Sequence, residues 1–271
     1  MCAVEKRLVV VCTRCTSASL LETHFHYASM KEQALYKELA KYYDLIYSFK
    51  DYKKEATRIR KLVSKYKRSE GRELLDVACG TGHHLSYLKE DFSCTGVDIS
   101  KEILDVAKKN AEGVTFKETD MTTLNLGKEF DVITCLFSSI GYVKTYKNLR
   151  KTIRNFSKHL KKGGVVLIEP WHTKLTYMPS SPHMETYDGK DIKIARLNVS
   201  ELIGSLSVMD MHYLIAERAK GVKHFVDRHE LGLFEVDETL RIMKEAGLQS
   251  KFLKRGLMQK RGMFVGVKQP L

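Results

Sequence analysis

Long apolar runs are missing from this chain of 271 residues, and their absence excludes much. No stretch approaches the ~18 apolar residues that a membrane-crossing helix needs, although 43% of the residues are apolar. Near the amino end, residues 8–12 are too few for a signal-peptide core of ~7–15 residues. A cysteine framework is missing as well. Cys2, Cys12 and Cys15 crowd the amino end, and Cys79, Cys94 and Cys135 are scattered in or beside expected strands. That is the usage of a reduced, cytoplasmic chain rather than of a disulfide scaffold. Acid is scarce relative to base: 33 Asp and Glu against 46 Lys and Arg leave a formal net charge of +13. The surplus is clustered, with eight basic residues and no acid in 144–162 and six with none in 251–268. Residues 53–72 add nine against Glu55 and Glu70. Solvated helix faces account for such runs, and so does a polyanionic partner, either nucleic acid or a phosphate-bearing small molecule.

Residues 1–29 carry no sustained period, and a new start is available at Met30, so they read as a disordered or adventitious extension. Cys12 and Cys15 with His24 and His26 match no common zinc spacing, and the lone CxxC has no strand–helix context, so no metal is expected. The informative stretch is residues 74–82, Leu-Leu-Asp-Val-Ala-Cys-Gly-Thr-Gly. It opens as a short apolar run with one acid, which fits a buried strand. Gly80 and Gly82 permit a tight turn and let the backbone approach a ligand. A helix begins at His83, so the turn sits at a strand's carboxyl end, where open α/β sheets bind ligands. Asp98 closes the next apolar segment, where a carboxylate can accept hydrogen bonds from both ribose hydroxyls. An absence narrows the choice of nucleoside: the third glycine of the dinucleotide fingerprint is Leu85 here, and Asp76 precedes the turn. A carboxylate at that position would repel a phosphate but could hold an amino-bearing or cationic ligand. The expected ligand is S-adenosylmethionine, and a purely structural turn is the alternative.

Helical periods run over 31–47, on Leu35, Leu39, Tyr42, Tyr43 and Ile46, and over 51–68, on Ala56, Ile59, Leu62 and Val63. Strands over 95–98, 114–117, 130–137 and 164–169 alternate with helices over 101–110 and 146–160, the second closed by residues 161–164. That alternation predicts an α/β fold with a parallel sheet wrapped on both faces. From 183 to 234 the pattern turns to β alternation, with strands near 192–202, 206–216 and 222–234. A helix over 237–246 and strands over 249–254 and 263–267 restore the α/β pattern. One domain, 30–271, is expected, with 183–234 as a small antiparallel insert. Placed before the last helix, the insert would overhang the strands' carboxyl ends as a substrate-side lid.

Several motifs add a resemblance. They are Tyr43-Asp44-Leu45 with Lys50-Asp51-Tyr52, residues 76–82 followed by His84-Leu85, and Phe137-Ser138-Ser139-Ile140-Gly141-Tyr142. Glu169-Pro170-Trp171, residues 221–225, Leu233-Phe234 and residues 261–266 complete the set. Over about 31–267 the chain resembles a class I S-adenosylmethionine-dependent methyltransferase. More narrowly it resembles the N,N-dimethyltransferases that act on nucleotide-linked 3-amino-deoxysugars in macrolide biosynthesis. The resemblance implies a Rossmann-like seven-stranded sheet and N-methylation of a small-molecule amine that can carry phosphate. It implies Asp98 and Ile99 at the ribose, Asp120 and Met121 at the adenine, and Ala78, Gly80 and Gly82 along the methionine part. Asp76, Leu136, Tyr43 and Tyr52 complete the implied cofactor pocket. On the substrate side it points to Tyr43 again, Tyr142, Ser138, Trp171 and Arg261. A homodimer is compatible with it. Some members have histidine where this chain has Tyr142, and the segment from Tyr43 to Tyr52 is two residues shorter here than in those enzymes.

Methyl transfer is an in-line displacement, for which a neutral nucleophile must be held at ~3–3.5 Å from the methyl. A sugar amine is mostly protonated at neutral pH, so a proton must leave. Tyr43 and Tyr142 can position the amine, but a phenol with pKa near ~10 is a poor base. Glu169, at a strand end expected to face the pocket, is the candidate for stabilising cationic product; its alternative is to cap the next turn. Asp120 has a second role open to it, as N-cap of a helix from Met121. Trp171, the only tryptophan, is read as a substrate wall or as core. Arg261 is read as a phosphate clamp or as a plain surface residue. His83 and His84 point apart on a helix and make no metal pair. Nucleic-acid methylation using the basic surface is the main rival. Methylation of an exocyclic base amine typically uses an acid or asparagine, two prolines and an aromatic after the fourth strand; this chain has Leu136-Phe137-Ser138-Ser139. Cytosine methylation needs a cysteine after that strand, whereas Cys135 lies within it. A glycine or sarcosine N-methyltransferase and an inactive cofactor-binding adaptor stay open.

Overall fold

A computed structural model describes residues 31–32, 40–258 and 260–269. The amino-terminal extension and its CxxC lie outside the described residues. Among these described residues, twelve strands and six helices follow in chain order. They are β1 (Lys31–Glu32), α1 (Ala40–Ile46), α2 (Tyr52–Tyr66), β2 (Glu73–Val77), α3 (His83–Leu88), β3 (Ser93–Asp98), α4 (Lys101–Asn110) and β4 (Thr115–Glu118). Next come β5 (Phe130–Cys135), a 3₁₀ turn (Ser139–Val143), α5 (Tyr146–His159), β6 (Leu160–Ile168), β7 (Pro182–Asp188), β8 (Ile192–Ile203), β9 (Leu206–Glu217) and β10 (Gly221–Gly232). α6 (Val236–Glu245), β11 (Leu248–Leu253) and β12 (Met263–Lys268) complete the chain. Among the described residues, no helix is long and apolar enough to cross a membrane.

The large sheet has seven strands in the order β11-β12-β6-β5-β2-β3-β4. Pairs from β4 to β6 are parallel, and β12 and β11 join antiparallel at one edge. Period-two burial divides its strands between two cores. Leu75, Ile133, Val166 and Phe264 face α5 and α6, whereas Leu74, Val132, Val165 and Val265 face α2, α3 and α4. The expected wrapped α/β sheet is therefore present, with its central strands buried on both faces. The chain runs outward from β2 to β4 and then crosses back to β5, so the strand order reverses between β2 and β5. At such a switch point the loops diverge and leave a crevice at the strands' carboxyl ends.

The expected insert is a second sheet of antiparallel strands β7 to β10, with β1 added parallel to β10. Its inner residues Ile194, Tyr213 and Ile215 pack with Tyr42, Tyr43 and Ile46 of α1 and with Ile103 of α4. Three local expectations need correction. The helical period over 31–47 yields a described helix only at Ala40–Ile46, while Lys31 and Glu32 pair with Asp227 and Arg228 and extend the β10 edge. α5 stops at His159, because Leu160 already pairs with Phe130; residues 161–164 then bulge opposite the single residue Asp131. β7 carried no expected strand, since it is a solvent-rich edge with little alternation to detect.

Candidate active site

A cavity of about 910 Å³ opens at the switch point, roofed by the inner face of the small sheet. That volume is at the upper end for small-molecule sites. Ala78 and Gly80 after β2, Asp98 and Ile99 at the end of β3, Asp120 and Met121 after β4, and Leu136 to Ser138 after β5 line one wall. Arg196, Met211 and His229 line it from the small sheet. The backbone is strained where the two central strands end: Ala78, Phe137 and Ser138 have φ of 56°, 50° and 64°. Non-glycine residues hold such angles only where the surroundings enforce them, commonly at functional sites.

Asp98 is 8% exposed and ties the loops together. Its Oδ2 accepts from the Gly80 amide at 3.0 Å, and its Oδ1 from the Ser100 amide at 3.1 Å. Each oxygen has a second lone pair, so acceptor capacity toward the cavity is retained. Asp76 also borders the cavity. Burial pushes its pKa up to about 6, against the pull of His84 and a 2.7 Å hydrogen bond from Thr134. Asp120 accepts from the Thr122 amide at 2.7 Å and closes a turn; no helix follows, so the expected N-cap role is corrected to a turn cap. Ile99 is 58% exposed although apolar.

A polar layer that sequence reasoning left without a role fixes α1 and α2 to the glycine turn. Asp44 accepts from Thr81 Oγ1 at 2.7 Å and Asn110 Nδ2 at 3.0 Å, and lies 3.1 Å from His83 Nε2. Burial alone would raise its pKa, but these three partners hold it below the ordinary range. Glu55 likewise joins Lys50 at 2.8 Å and His84 at 2.7 Å. Lys50 Nζ rests 4.1 Å above the Phe137 ring, and Tyr52 stacks on His83 at 4.7 Å. Tyr43 and Tyr52 thereby reach the cavity on elements pinned to the motif.

At the far end the Arg261 guanidinium lies 3.8 Å over the Trp171 ring, and its Nη1 donates to Ser138 Oγ at 2.7 Å. Ser138 donates in turn to Pro170 O at 2.8 Å. Burial brings the Arg261 pKa down to about 10, opposed by the negative charge of Glu169. His172 is pushed down to about 4 by burial and by Arg261 and His183, so it is neutral at neutral pH. Tyr142 Oη lies 2.6 Å from His229 Nδ1.

Two expected site residues do not line the cavity. Glu169 is 0% exposed, and its oxygens accept from the amides of Phe137 and Met258, each at 2.8 Å. It holds two loops together and does not face the pocket, because those strained loops need an internal acceptor. Gly82 is the N-cap of α3 with φ 75°, and a Cβ there would come within 3.1 Å of Ala107 Cβ; its constraint is helix packing. Tyr43, Tyr52, Asp76, Ala78, Gly80, Asp98, Ile99, Asp120, Met121, Leu136, Ser138, Tyr142, Trp171 and Arg261 do meet at one cavity. His229, Asp227 and Arg196 were missed. The available signal was their period-two placement on one face of the insert strands.

Comparison with known proteins identifies the family. A family pattern described as a methyltransferase domain matches residues 74–164. The chain is 38% identical over 230 residues to the dTDP-3-amino-3,4,6-trideoxy-alpha-D-glucopyranose N,N-dimethyltransferase of Streptomyces venezuelae, covering 83% of this chain and 95% of that protein. It is 32% identical over 233 residues to the dTDP-3-amino-3,6-dideoxy-alpha-D-glucopyranose N,N-dimethyltransferase of Streptomyces fradiae, covering 85% and 91%. Among solved structures, SAM-bound CalS10, an amino pentose methyltransferase of Micromonospora echinaspora involved in calicheamicin biosynthesis, superposes with a TM-score of 0.75. The identity there is 27%, over 90% of this chain and 100% of the other.

Proposed function

Because the chain belongs to the S-adenosylmethionine-dependent methyltransferase family that includes the dTDP-aminosugar N,N-dimethyltransferases, we propose that it N-methylates the amine of a nucleotide-linked aminosugar. The observation that carries this is the single cavity that runs from the glycine turn to the Arg261–Trp171 pair. One end suits a nucleoside without phosphate and the other an amine beside an anion.

The cofactor end fits its ligand. A Cβ at Gly80 would point into open space, Asp98 keeps acceptor capacity, and Ile99 offers an apolar face that has no protein cover. When bound, S-adenosylmethionine supplies an activated methyl group on a sulfonium sulfur. Asp98 with Ile99 takes the ribose, Asp120 with Met121 the adenine, and Ala78, Gly80 and Asp76 the methionine part. Leu136, Tyr43 and Tyr52 close that pocket. Tyr43 and Tyr142 hold the amine, while Trp171 and Ser138 orient Arg261 toward a phosphate, which a guanidinium matches in bidentate fashion. The insert 183–234 serves as the lid of a single domain, 30–271, and keeps water from the reacting centre.

A small phosphate-bearing amine is preferred to nucleic acid as partner. The basic run 144–162 lies mostly on α5, whose Arg150 is engaged by Glu238, and Lys161 beyond it by Asp131. A homodimer is compatible with the exposed Met184, Leu197 and Val199 on the lid's outer face. The cytoplasm is the proposed location, supported by the free thiols Cys79, Cys94 and Cys135 among the described residues. The test is a mixture of aminosugar nucleotide, glycine, sarcosine and bulk RNA supplied with methyl-labelled S-adenosylmethionine. Label is expected in the aminosugar. Label in RNA or glycine would contradict the proposal, and cofactor binding without any transfer would favour an adaptor.

A further inference from the structure

An acceptor that arrives as an ammonium has no lone pair to offer, so one proton must leave before each transfer. Glu169 is committed to two backbone amides, and a lone phenol with pKa near ~10 is a weak base. Tyr142 has help. Its hydroxyl is 2.6 Å from His229 Nδ1, and His229 Nε2 is 2.7 Å from Asp227 Oδ2. Residues 227 and 229 are alternate positions on β10 and face inward together, Asp227 0% and His229 2% exposed. Asp227 and His229 are thus in close polar contact through Oδ2 and Nε2. A carboxylate beside Nε2 favours a proton on that nitrogen, which leaves Nδ1 to accept from the tyrosine O–H. The Tyr142 oxygen can then accept a hydrogen bond from a donor in the cavity that it lines.

We propose that Tyr142, His229 and Asp227 form a proton relay that deprotonates the sugar ammonium, Tyr142 touching the amine while His229 and Asp227 act through it. The relay rests on the amine methylation proposed above. One ammonium N–H proton passes to the Tyr142 oxygen as the tyrosine's own proton passes to Nδ1 of His229. The amine becomes neutral with a free lone pair, Tyr142 is regenerated, and His229 becomes an imidazolium beside the Asp227 carboxylate. After methylation the product is again a cation, and His229 gives its proton to solvent, which resets the relay for a second transfer. Among the described residues, Arg196 of β8 and Glu185 of β7 are charged groups that share this inner face. Arg228 with Asp210 and Glu230, and Lys144 with Glu230, are paired on the outer face. Asp227 is the charged group in direct contact with the His229 ring.

The test is the pH profile of kcat/KM for the wild type, His229→Gln and Asp227→Asn. The acceptor is dTDP-3-amino-3,4,6-trideoxy-alpha-D-glucopyranose with saturating S-adenosylmethionine. At about pH 7 His229→Gln is expected to lose about a hundredfold, and to approach the wild type above about pH 9.5, where the amine sheds its proton unaided. Asp227→Asn, nearly isosteric, should show the same alkaline recovery with a smaller loss, and it serves if the histidine variant fails to fold. Nucleotide-sugar affinity, measured by calorimetry, should stay close to that of the wild type in both variants. An equal loss at every pH would overturn the relay while leaving amine methylation intact. A wild type inactive on this amine would overturn both.

Discussion

At Asp76 stability and binding pull in opposite directions. The side chain is 1% exposed, and burial raises its pKa to about 6, with His84 and Thr134 pulling back. A carboxyl whose pKa is raised in the folded state loses stability as pH rises through the range where the unfolded chain has released a proton that the folded chain still retains, and the loss then stays at its full value. The penalty is therefore absent below the ordinary carboxylate range, grows between about pH 4 and about pH 6, and is full above, on the order of 3 kcal/mol. Asp76→Asn keeps an acceptor for Thr134. It should melt higher than the wild type at neutral pH, with the gain fading toward pH ~4, and should bind S-adenosylmethionine more weakly. A gain that does not change with pH would show that burial of charge is not the cause. Asp98 is the complementary case, since its charge is used twice, on Gly80 and Ser100 and toward the cavity. Asp98→Ala should weaken cofactor binding by at least about tenfold in calorimetry, given ~1.5–3 kcal/mol for each charged hydrogen bond. Unchanged affinity in a folded variant would remove Asp98 from the cofactor site.

At the scale of elements, the two glycines of the turn separate by function. A side chain at Gly82, φ 75°, would press on Ala107 of α4, whereas one at Gly80, φ 56°, would enter open space at the cavity. Gly82→Ala should therefore lower stability by about 1–2 kcal/mol, read by denaturant unfolding, and leave affinity nearly intact. Gly80→Ala shares the left-handed backbone strain and should in addition lower cofactor affinity; an intact affinity there would contradict the placement. Elements with a clean period were legible: α4 was expected at 101–110 and found at Lys101–Asn110, and β8 to β10 carried visible alternation. What failed was decided by pairing across space. Lys31 and Glu32 join β10 because an open strand edge takes them, and β6 starts at Leu160, ahead of the expected 164, because Leu160 pairs with Phe130. The site divided in the same way. Residues at strand ends could be placed from the motif, but the direction of Glu169 depended on two amides distant in sequence. The contact of Tyr142 with His229 spans 87 residues, and no local pattern encodes it.

For the whole molecule, the small sheet converts an open crevice into a chamber and is packed on α1: Ile194, Tyr213 and Ile215 of the sheet share a core with Tyr42, Tyr43 and Ile46. The proposed cofactor and substrate ends thus belong to one cavity. Holding an amine close to an activated methyl in a water-poor site is where proximity yields its rate advantage. That arrangement suits a small acceptor with both an amine and an anionic handle. The most direct measurement is magnetic resonance of the product formed from S-adenosylmethionine carrying an isotope-labelled methyl and dTDP-3-amino-3,4,6-trideoxy-alpha-D-glucopyranose. The labelled carbon is predicted on the sugar nitrogen, with the nucleotide intact. A labelled methyl on an oxygen or on the base, or an unmodified nucleotide sugar beside methylated RNA, would contradict the account.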